Sequence, residues 1–362
     1  MEPRMPIEAD NLPDSPVAEA VLRTLLYADV FDFPMTEPEI HHFLIGVEAT
    51  SEAVHTALIS SAWLASRISC TGPYYTLRGR VALAETRARR DRAAESLWRS
   101  ARRCGAILAH LPFVRMVALT GSLAMRNVTG AHDDIDYLIL TVPGRVWLTR
   151  ALIILVVRLA RLSGTELCPN YVLAETALAQ DQRDLYMAHE LAQMVPLAFH
   201  DRYRAMCEAN DWAAPWLPNA RSPHYAEPDR QPRGLGRAVQ QIGELLLGGA
   251  LGGALERWER QRKQRKFGVA RRASPGAAQI DDDRVKGHFQ DHGQAILARY
   301  RERLTAHRLQ DAAPAMPPSG ARQPGRVTHA HSETQPAGAM RTASRPPFAS
   351  TPDPLDAQDV AR

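Results

Sequence analysis

Two apolar runs a dozen residues apart constrain this chain more than any other feature. Val117-Ala118-Leu119-Thr120 ends in Gly121-Ser122, and Asp134-Ile135-Asp136 opens the run Tyr137-Leu138-Ile139-Leu140. Each run has the length and composition of a strand. Strand alternation sends Asp134 and Asp136 to one face, roughly 6–7 Å apart along the backbone. The neighbouring pattern continues in kind. Strands are predicted over 114–119, 136–141 and 171–173, with a short helix over 122–127 and a long one over 146–162 between them. The long helix is bounded by Pro143-Gly144 and Ser163-Gly164. Such alternation predicts an α/β (α+β) fold, a sheet layered with helices.

The chemistry of the two runs fits a magnesium–nucleotide site. Gly121 lets the backbone turn sharply and approach a phosphate. Ser122 opens a helix whose free N–H groups and positive end favour an anion, and its hydroxyl adds a further hydrogen bond. Asp134 and Asp136 are hard oxygen ligands of the kind Mg²⁺ takes, and two such ions would serve the transfer of a nucleotidyl group. Gly-Ser alone carries no signal, and acid-x-acid alone is weak. Their order, spacing and placement between strands make the functional reading the stronger one.

Other residues are candidates of lower weight. Arg126 is a candidate nucleotide-binding residue, and with Arg145 it would clamp a triphosphate. His132 stands beside the acids, as does Asp133, which faces away on a regular strand. His189-Glu190 is half of a zinc motif, but the second histidine is replaced by Gln193, which removes that reading. Trp212 and Trp216, with Asn210 and Asn219, would line an acceptor pocket or, more simply, pack a small helical region on the sheet.

The pattern of apolar strand, Gly-Ser, and acid-apolar-acid opening the next strand resembles the nucleotidyltransferase superfamily with the DNA polymerase beta-like fold. The resemblance covers about residues 112–175. It implies that Gly121 and Ser122 hold the triphosphate of an NTP and that Asp134 and Asp136 are the catalytic, metal-binding carboxylates. Phe31-Asp32-Phe33-Pro34, Gly79-Arg80 and Leu167-Cys168-Pro169-Asn170-Tyr171 also resemble a group of bacterial proteins with a winged helix ahead of such a domain. The chain departs from the superfamily at one place. A third carboxylate is usual on a later strand, and the aligned position here is Asn170, with Glu175 or Glu166 as substitutes in another register. An amide ligates a metal weakly and cannot take a proton.

The rest of the chain sets the surroundings. At 362 residues it is long enough for two or three small domains. Residues 1–15 read as a flexible tail. Residues 16–82 read as three helices and a hairpin, a winged-helix-like domain. Thr36 and Glu39 form a capping box there, and Thr71-Gly72-Pro73 makes the hairpin turn. A connecting helix follows over 83–111, the nucleotidyltransferase domain over 112–220, and a C-terminal helical region over 235–310. Residues 311–362 have the composition of a disordered tail. The third N-terminal helix, 51–60, has no Lys or Arg, so DNA binding is disfavoured against internal packing or protein docking. The basic run 257–266, with Arg271-Arg272 beyond it, is interrupted by Glu259 and reads as a solvated helix face.

The net charge is +4 with a pI near 9.0. Nearly all cations are arginine, the lysines being Lys263, Lys266 and Lys286, and abundant Ala and Pro make that a mark of genome composition. Cys70, Cys104, Cys168 and Cys207 are too scattered for a zinc site or a disulfide framework. The longest apolar run, 151–157 between Arg150 and Arg158, is far below the roughly 20 residues of a membrane span. These features predict a cytoplasmic protein with no membrane segment. The leading expectation is a Mg²⁺-dependent nucleotidyltransferase moving an NMP from an NTP to an unknown acceptor with release of pyrophosphate. The alternative is a weak or inactive regulator of the same fold acting through its winged helix. A toxin–antitoxin component finds no direct support.

Overall fold

The computed structural model describes residues 12–130, 133–162, 164–273, 281–286 and 292–311. Residues 1–11 and 312–362, which hold most of both expected tails, lie outside the described residues, as does His132. The side chains of Lys266, Arg271 and Arg272 also lie outside them.

The N-terminal elements follow their local signals. Helix α1 (Pro16–Asp29) is capped by the Ser15 hydroxyl, which accepts from the Ala18 N–H at 3.0 Å. Strand β1 (Met35–Thr36) leads into α2 (Glu37–His42) through the expected capping box of Thr36 and Glu39. Then come α3 (Ser51–Ser60), capped by Thr50, the single turn α4 (Ala62–Ala65), and the hairpin β2 (Ile68–Thr71) and β3 (Tyr74–Leu77). The three strands form an antiparallel sheet in the order β1-β3-β2.

Helix α5 (Leu83–Ala109) carries the chain to a second sheet. That sheet is built from β4 (Val114–Leu119), β5 (Ile135–Thr141), β6 (Leu167–Ala174), β7 (Val195–Ala198) and β8 (Arg284–Lys286), in the order β7-β4-β5-β6-β8. Strands β5 and β6 are parallel, joined by the crossover helix α7 (Val146–Leu162), and the other pairs are antiparallel. The fold is therefore α+β. Short α6 (Gly121–Ala124) lies between β4 and β5. The chain continues through α8 (Leu185–Ala192), which Asp184 caps, and α9 (His200–Glu208), and ends in α10 (Gly234–Gly248), α11 (Ala250–Ala273) and α12 (His292–Ala306).

Several expectations change. The helix after Ser122 is four residues, not six. Pro196 sits inside edge strand β7, where a missing N–H is tolerated. The C-terminal region expected to be helical over 235–310 breaks at Gly248-Gly249 between α10 and α11, and it holds the edge strand β8 ahead of α12.

The charged stripe of α11 is not simply solvated. Glu256, Glu259 and Lys263 are buried, and the Glu256 carboxylate accepts from the N–H groups of Trp147 (3.0 Å) and Leu148 (2.6 Å) at the start of α7. Helix α10 docks through Gly236, Gln240 and Gly243, with Gln240 donating to the carbonyls of Ala109 and Leu111. Its Leu235, Val239, Ile242, Leu245 and Leu246 are exposed. Among the described residues no helix is long and apolar enough to cross a membrane.

One apolar cluster runs through both sheets' helices. It joins Leu22, Leu26 and Phe43 of the N-terminal part to Met116, Leu138 and Leu173 on one face of the five-stranded sheet. The opposite face packs on α5 and α7, where the Tyr137 hydroxyl donates to the Ala101 carbonyl at 2.9 Å. Polar ties lock the join at Phe31-Asp32-Phe33-Pro34. Arg87 of α5, buried, pairs with buried Glu39 (2.8 Å), donates to the Pro34 carbonyl (3.2 Å) and lies 4.0 Å over the Phe33 ring. Arg90 bonds the Asp32 carbonyl and Asn127, and Asn127 donates to the Phe31 carbonyl. Arg80 pairs with Asp29 and Asp32. Arg87→Ala leaves Glu39 charged and buried without its partner, and should cost about 3–5 kcal/mol in urea unfolding.

Candidate active site

The site forms where β4 ends and β5 begins. Leu119 is in register with Tyr137, and the Thr120 N–H donates to the Asp136 carbonyl at 3.0 Å. Gly121 then turns with φ +67°, and its backbone lies directly on the Asp136 side chain. A Cβ at this position would stand 2.4 Å from Asp136 Oδ2 and 3.2 Å from its Cγ. Glycine is thus required twice here, for its φ and for the close approach. Ser122 is exposed beside the turn, and its carbonyl accepts from the Asn127 N–H at 2.8 Å. With only four residues, α6 contributes little of the dipole expected of a longer helix.

Asp136 is the electrostatic centre. Burial pushes its carboxyl up to about 7; the Cys168 thiol opposes this by hydrogen bonding, and the charges of Asp134 and Glu190 reinforce it. Asp134 is exposed and stands just before β5, outside the regular strand in which alternation was expected to pair it with Asp136, and its charge acts on Asp136. The structure therefore brings together Gly121, Ser122, Asp134 and Asp136. Glu190 of α8 joins them, a carboxylate that sequence reasoning passed over when it set aside the zinc motif. The available signal was the neighbouring pair His189-Glu190 on a helix that follows the sheet strands.

The third-acid position differs from the expectation. Cys168 stands opposite Asp136 and Tyr171 opposite Leu138, with a register shift between them, so Asn170 falls in the irregularity rather than opposite the acid. Burial, chiefly, and Asp136 hold the Cys168 thiol well above its usual range. Glu175 pairs with Arg202 (3.4 Å) and Glu166 with Arg161 (2.7 Å). Glu175 lies at the far end of β6, where its N–H bonds the Thr141 carbonyl.

The lesser candidates have other neighbours. Arg126, at φ +55°, lies 5.3 Å from the Tyr225 ring and 5.7 Å from that of Trp98. Its neighbours Met125 and Asn127, not Arg126 itself, line the cleft beside Gly121. Arg145 is at the other end of β5, over Phe113 and bonded to the Gly248 carbonyl. Asp133 closes its own loop by accepting from the Thr129 N–H and hydroxyl at 2.6 and 2.7 Å. Trp212 and Trp216 are packing residues: the indole N–H of Trp212 bonds buried Asn210, and the Trp216 carbonyl accepts from Gly46. Asn219 ties to His41 and Ala49.

A cleft of about 240 Å³ opens beside the turn, between the N-terminal part, α8 and α12. Gly121, Ser122 and Glu190 lie on its wall, and His189 beside them is buried. Burial, with nearby His42, drives His189 down to about 3, and burial brings His42 to about 4, so both rings are neutral. Among the described residues no three His, Cys, Asp or Glu side chains are grouped so as to hold a metal ion by themselves. No family model, curated protein or solved structure matches the chain.

Two outcomes follow. Gly121→Ala should lower stability by about 1–3 kcal/mol in thermal or urea unfolding, from the left-handed φ alone, with the Asp136 clash in addition. The unfolded chain protonates His189 and His42 near pH 6.5, whereas the folded chain resists down to about 3 and 4. Their contribution is full above pH 6.5 and falls by about 1.4 kcal/mol per histidine for each pH unit below it. Unfolding free energies between pH 7 and 4.5 should decline accordingly, and less steeply in His189→Phe.

Proposed function

We propose that this protein is a Mg²⁺-dependent nucleotidyltransferase, which moves a nucleoside monophosphate from an NTP to an acceptor hydroxyl. One observation carries the reading: the Gly121 turn rests on the Asp136 carboxylate, on which the charges of Asp134 and Glu190 both act. A cation fits this donor set. Asp136 is raised by burial and by two neighbouring negative charges, a repulsion that a divalent ion relieves. Asp134 and Asp136 would hold it, with the remaining positions left to water and phosphate oxygens, as Mg²⁺ prefers. When bound, Mg²⁺ supplies neutralisation of the triphosphate charge.

The protein's own groups account for the rest. Gly121 and Ser122 offer backbone and hydroxyl donors to phosphate oxygens. The acceptor oxygen attacks the α-phosphorus, the bond from that phosphorus to the β-bridging oxygen breaks, and pyrophosphate leaves. The hydroxyl proton passes to the Glu190 carboxylate. The N-terminal helices and hairpin are assigned a packing role rather than DNA binding, because α3 shows Glu52, His55 and Thr56 at its surface and no cation. A cytoplasmic setting, where NTPs are abundant, accords with the free cysteines.

A second reading, a regulator that binds nucleotide without turnover, draws on the absence of a three-ligand metal group among the described residues. Labelled-NTP transfer to acceptors in a cell extract separates the two. Asp136→Asn and Glu190→Gln should each lower transfer about 10²–10⁴-fold. NTP binding by the wild type without any labelled product would select the regulator, and failure to bind any of the four NTPs with Mg²⁺ would end both.

A further inference from the structure

Helix α10 turns its small and polar residues inward and its apolar ones outward. A Cβ on Gly236 or Gly243 would stand 2.5 Å from the His110 or Pro112 side chain, and Gln240 donates to the carbonyls of Ala109 and Leu111, so this side is pressed onto the body of the protein. Leu235, Val239, Ile242 and Leu246 recur at i, i+4, i+7 and i+11, which sets them in one stripe facing away from that contact. All four are exposed, and Leu245 stands beside them. Leu235 is 87% exposed and Leu245 81%, so the stripe is a crest rather than the lining of a groove. Helix α11, which packs on α10, repeats the pattern with exposed Leu251, Leu255 and Trp258. Apolar surface gathered in this way marks an interaction site.

The exposed charge around the stripe has one sign. Between residues 233 and 265 the acids are Glu244, Glu256 and Glu259. Glu256 and Glu259 are buried, and half-buried Glu244 pairs with Arg115 at 2.7 Å. Arg233, Arg237, Arg257 and Arg265 are exposed, and Arg265 continues the stripe of Leu251 and Trp258 along α11. The two helices therefore offer leucine and arginine. A second copy of the chain would bring like charges together. Residues 312–362 hold few large apolar residues with which to cover the stripe. A protein groove takes a helix by enclosing its flanks, and the flank of α10 at Glu244 is already tied to Arg115 and the Phe113 N–H. A fluid anionic surface needs the crest alone, and supplies an apolar medium and negative charge together. Tryptophan is common at such interfaces. At 15 residues α10 is about 22 Å long, too short to span a bilayer, so it would lie in the plane of one.

We infer that the outward sides of α10 and α11 attach this protein to an anionic lipid surface. The leucine stripe of α10 enters the boundary between headgroups and acyl chains, and the arginines around it meet the lipid phosphates. The attachment is peripheral and does not rest on the transfer chemistry.

The test uses the full chain and co-sedimentation with vesicles of phosphatidylglycerol and phosphatidylcholine in equal parts, beside vesicles of phosphatidylcholine alone. Wild type should bind the anionic vesicles at least about tenfold more tightly than the neutral ones, and added salt should narrow the difference. Leu235→Glu with Leu245→Glu should weaken binding at least about tenfold, because two apolar side chains no longer enter the interface. Both positions are exposed, so thermal unfolding of this variant should match the wild type. Arg237→Gln with Arg265→Gln should remove most of the anionic preference, and it serves if the leucine variant does not fold. No binding to anionic vesicles, equal binding to neutral ones, or binding indifferent to both pairs of substitutions overturns the inference. Sedimentation velocity and poly-glutamate separate the other occupants. A wild-type dimer that the leucine variant turns into a monomer assigns the stripe to a second copy, and the lipid assignment falls. Poly-glutamate bound as tightly as the vesicles shows that charge alone attracts an acidic chain, and the lipid assignment falls again.

Discussion

A carboxylate enclosed at the end of an apolar strand is the constraint around which this structure is arranged. Asp136 opens β5, whose following residues are all buried. The strand cannot move it into water without losing its register with β4 and β6. Space for the group exists because residue 121 has no side chain, and the Cys168 thiol supplies a hydrogen bond. Burial and two further carboxylates still raise its proton affinity to near neutrality. A group so held is costly as a bare anion, which is the physical reason to expect a cation beside it.

The second constraint is that the N-terminal part and the five-stranded sheet share one core. The expectation of successive domains divided the chain at about 82 and 111. Across those bounds, α1 and Phe43 pack in the same cluster as Leu138 and Leu173. The Phe31–Pro34 stretch, which sequence offered only as a point of resemblance, is fastened by Arg80, Arg87 and Arg90. Fastening it there sets Phe31 and Phe33 beside the Gly121 turn and makes one wall of the cleft. The N-terminal helices thus shape the candidate site, whether or not they meet any other macromolecule.

Much of the site was readable where chemistry and spacing are local. Glycine at a turn and two acids with strand alternation need only a few residues to be recognised. Helix caps at Ser15, Thr36 and Thr50 are equally local. Arg126 and Arg145, read as clamp residues, have partners that counting does not show, because a cation has a long side chain: Arg126 lies near the Tyr225 ring and Arg145 bonds the Gly248 carbonyl. Asn170 was placed opposite the acids by counting, and the register shift in β6 defeats counting. The C-terminal helices misled for a related reason: α10 docks by Gly and Gln and α11 buries Glu256, Glu259 and Lys263, which reverses the usual reading of polarity.

The sequence by itself determined the two strands, the Gly121-Ser122 turn and the closeness of Asp134 to Asp136, because backbone period and glycine's φ act within a few residues. Only the tertiary structure decided that Glu190 joins them, that Cys168 opposes Asp136, and that His189 is buried against Tyr27 beside an aromatic cleft. Those contacts link residues up to 162 positions apart. They follow from which helix covers which face of the sheet, and no local pattern encodes that.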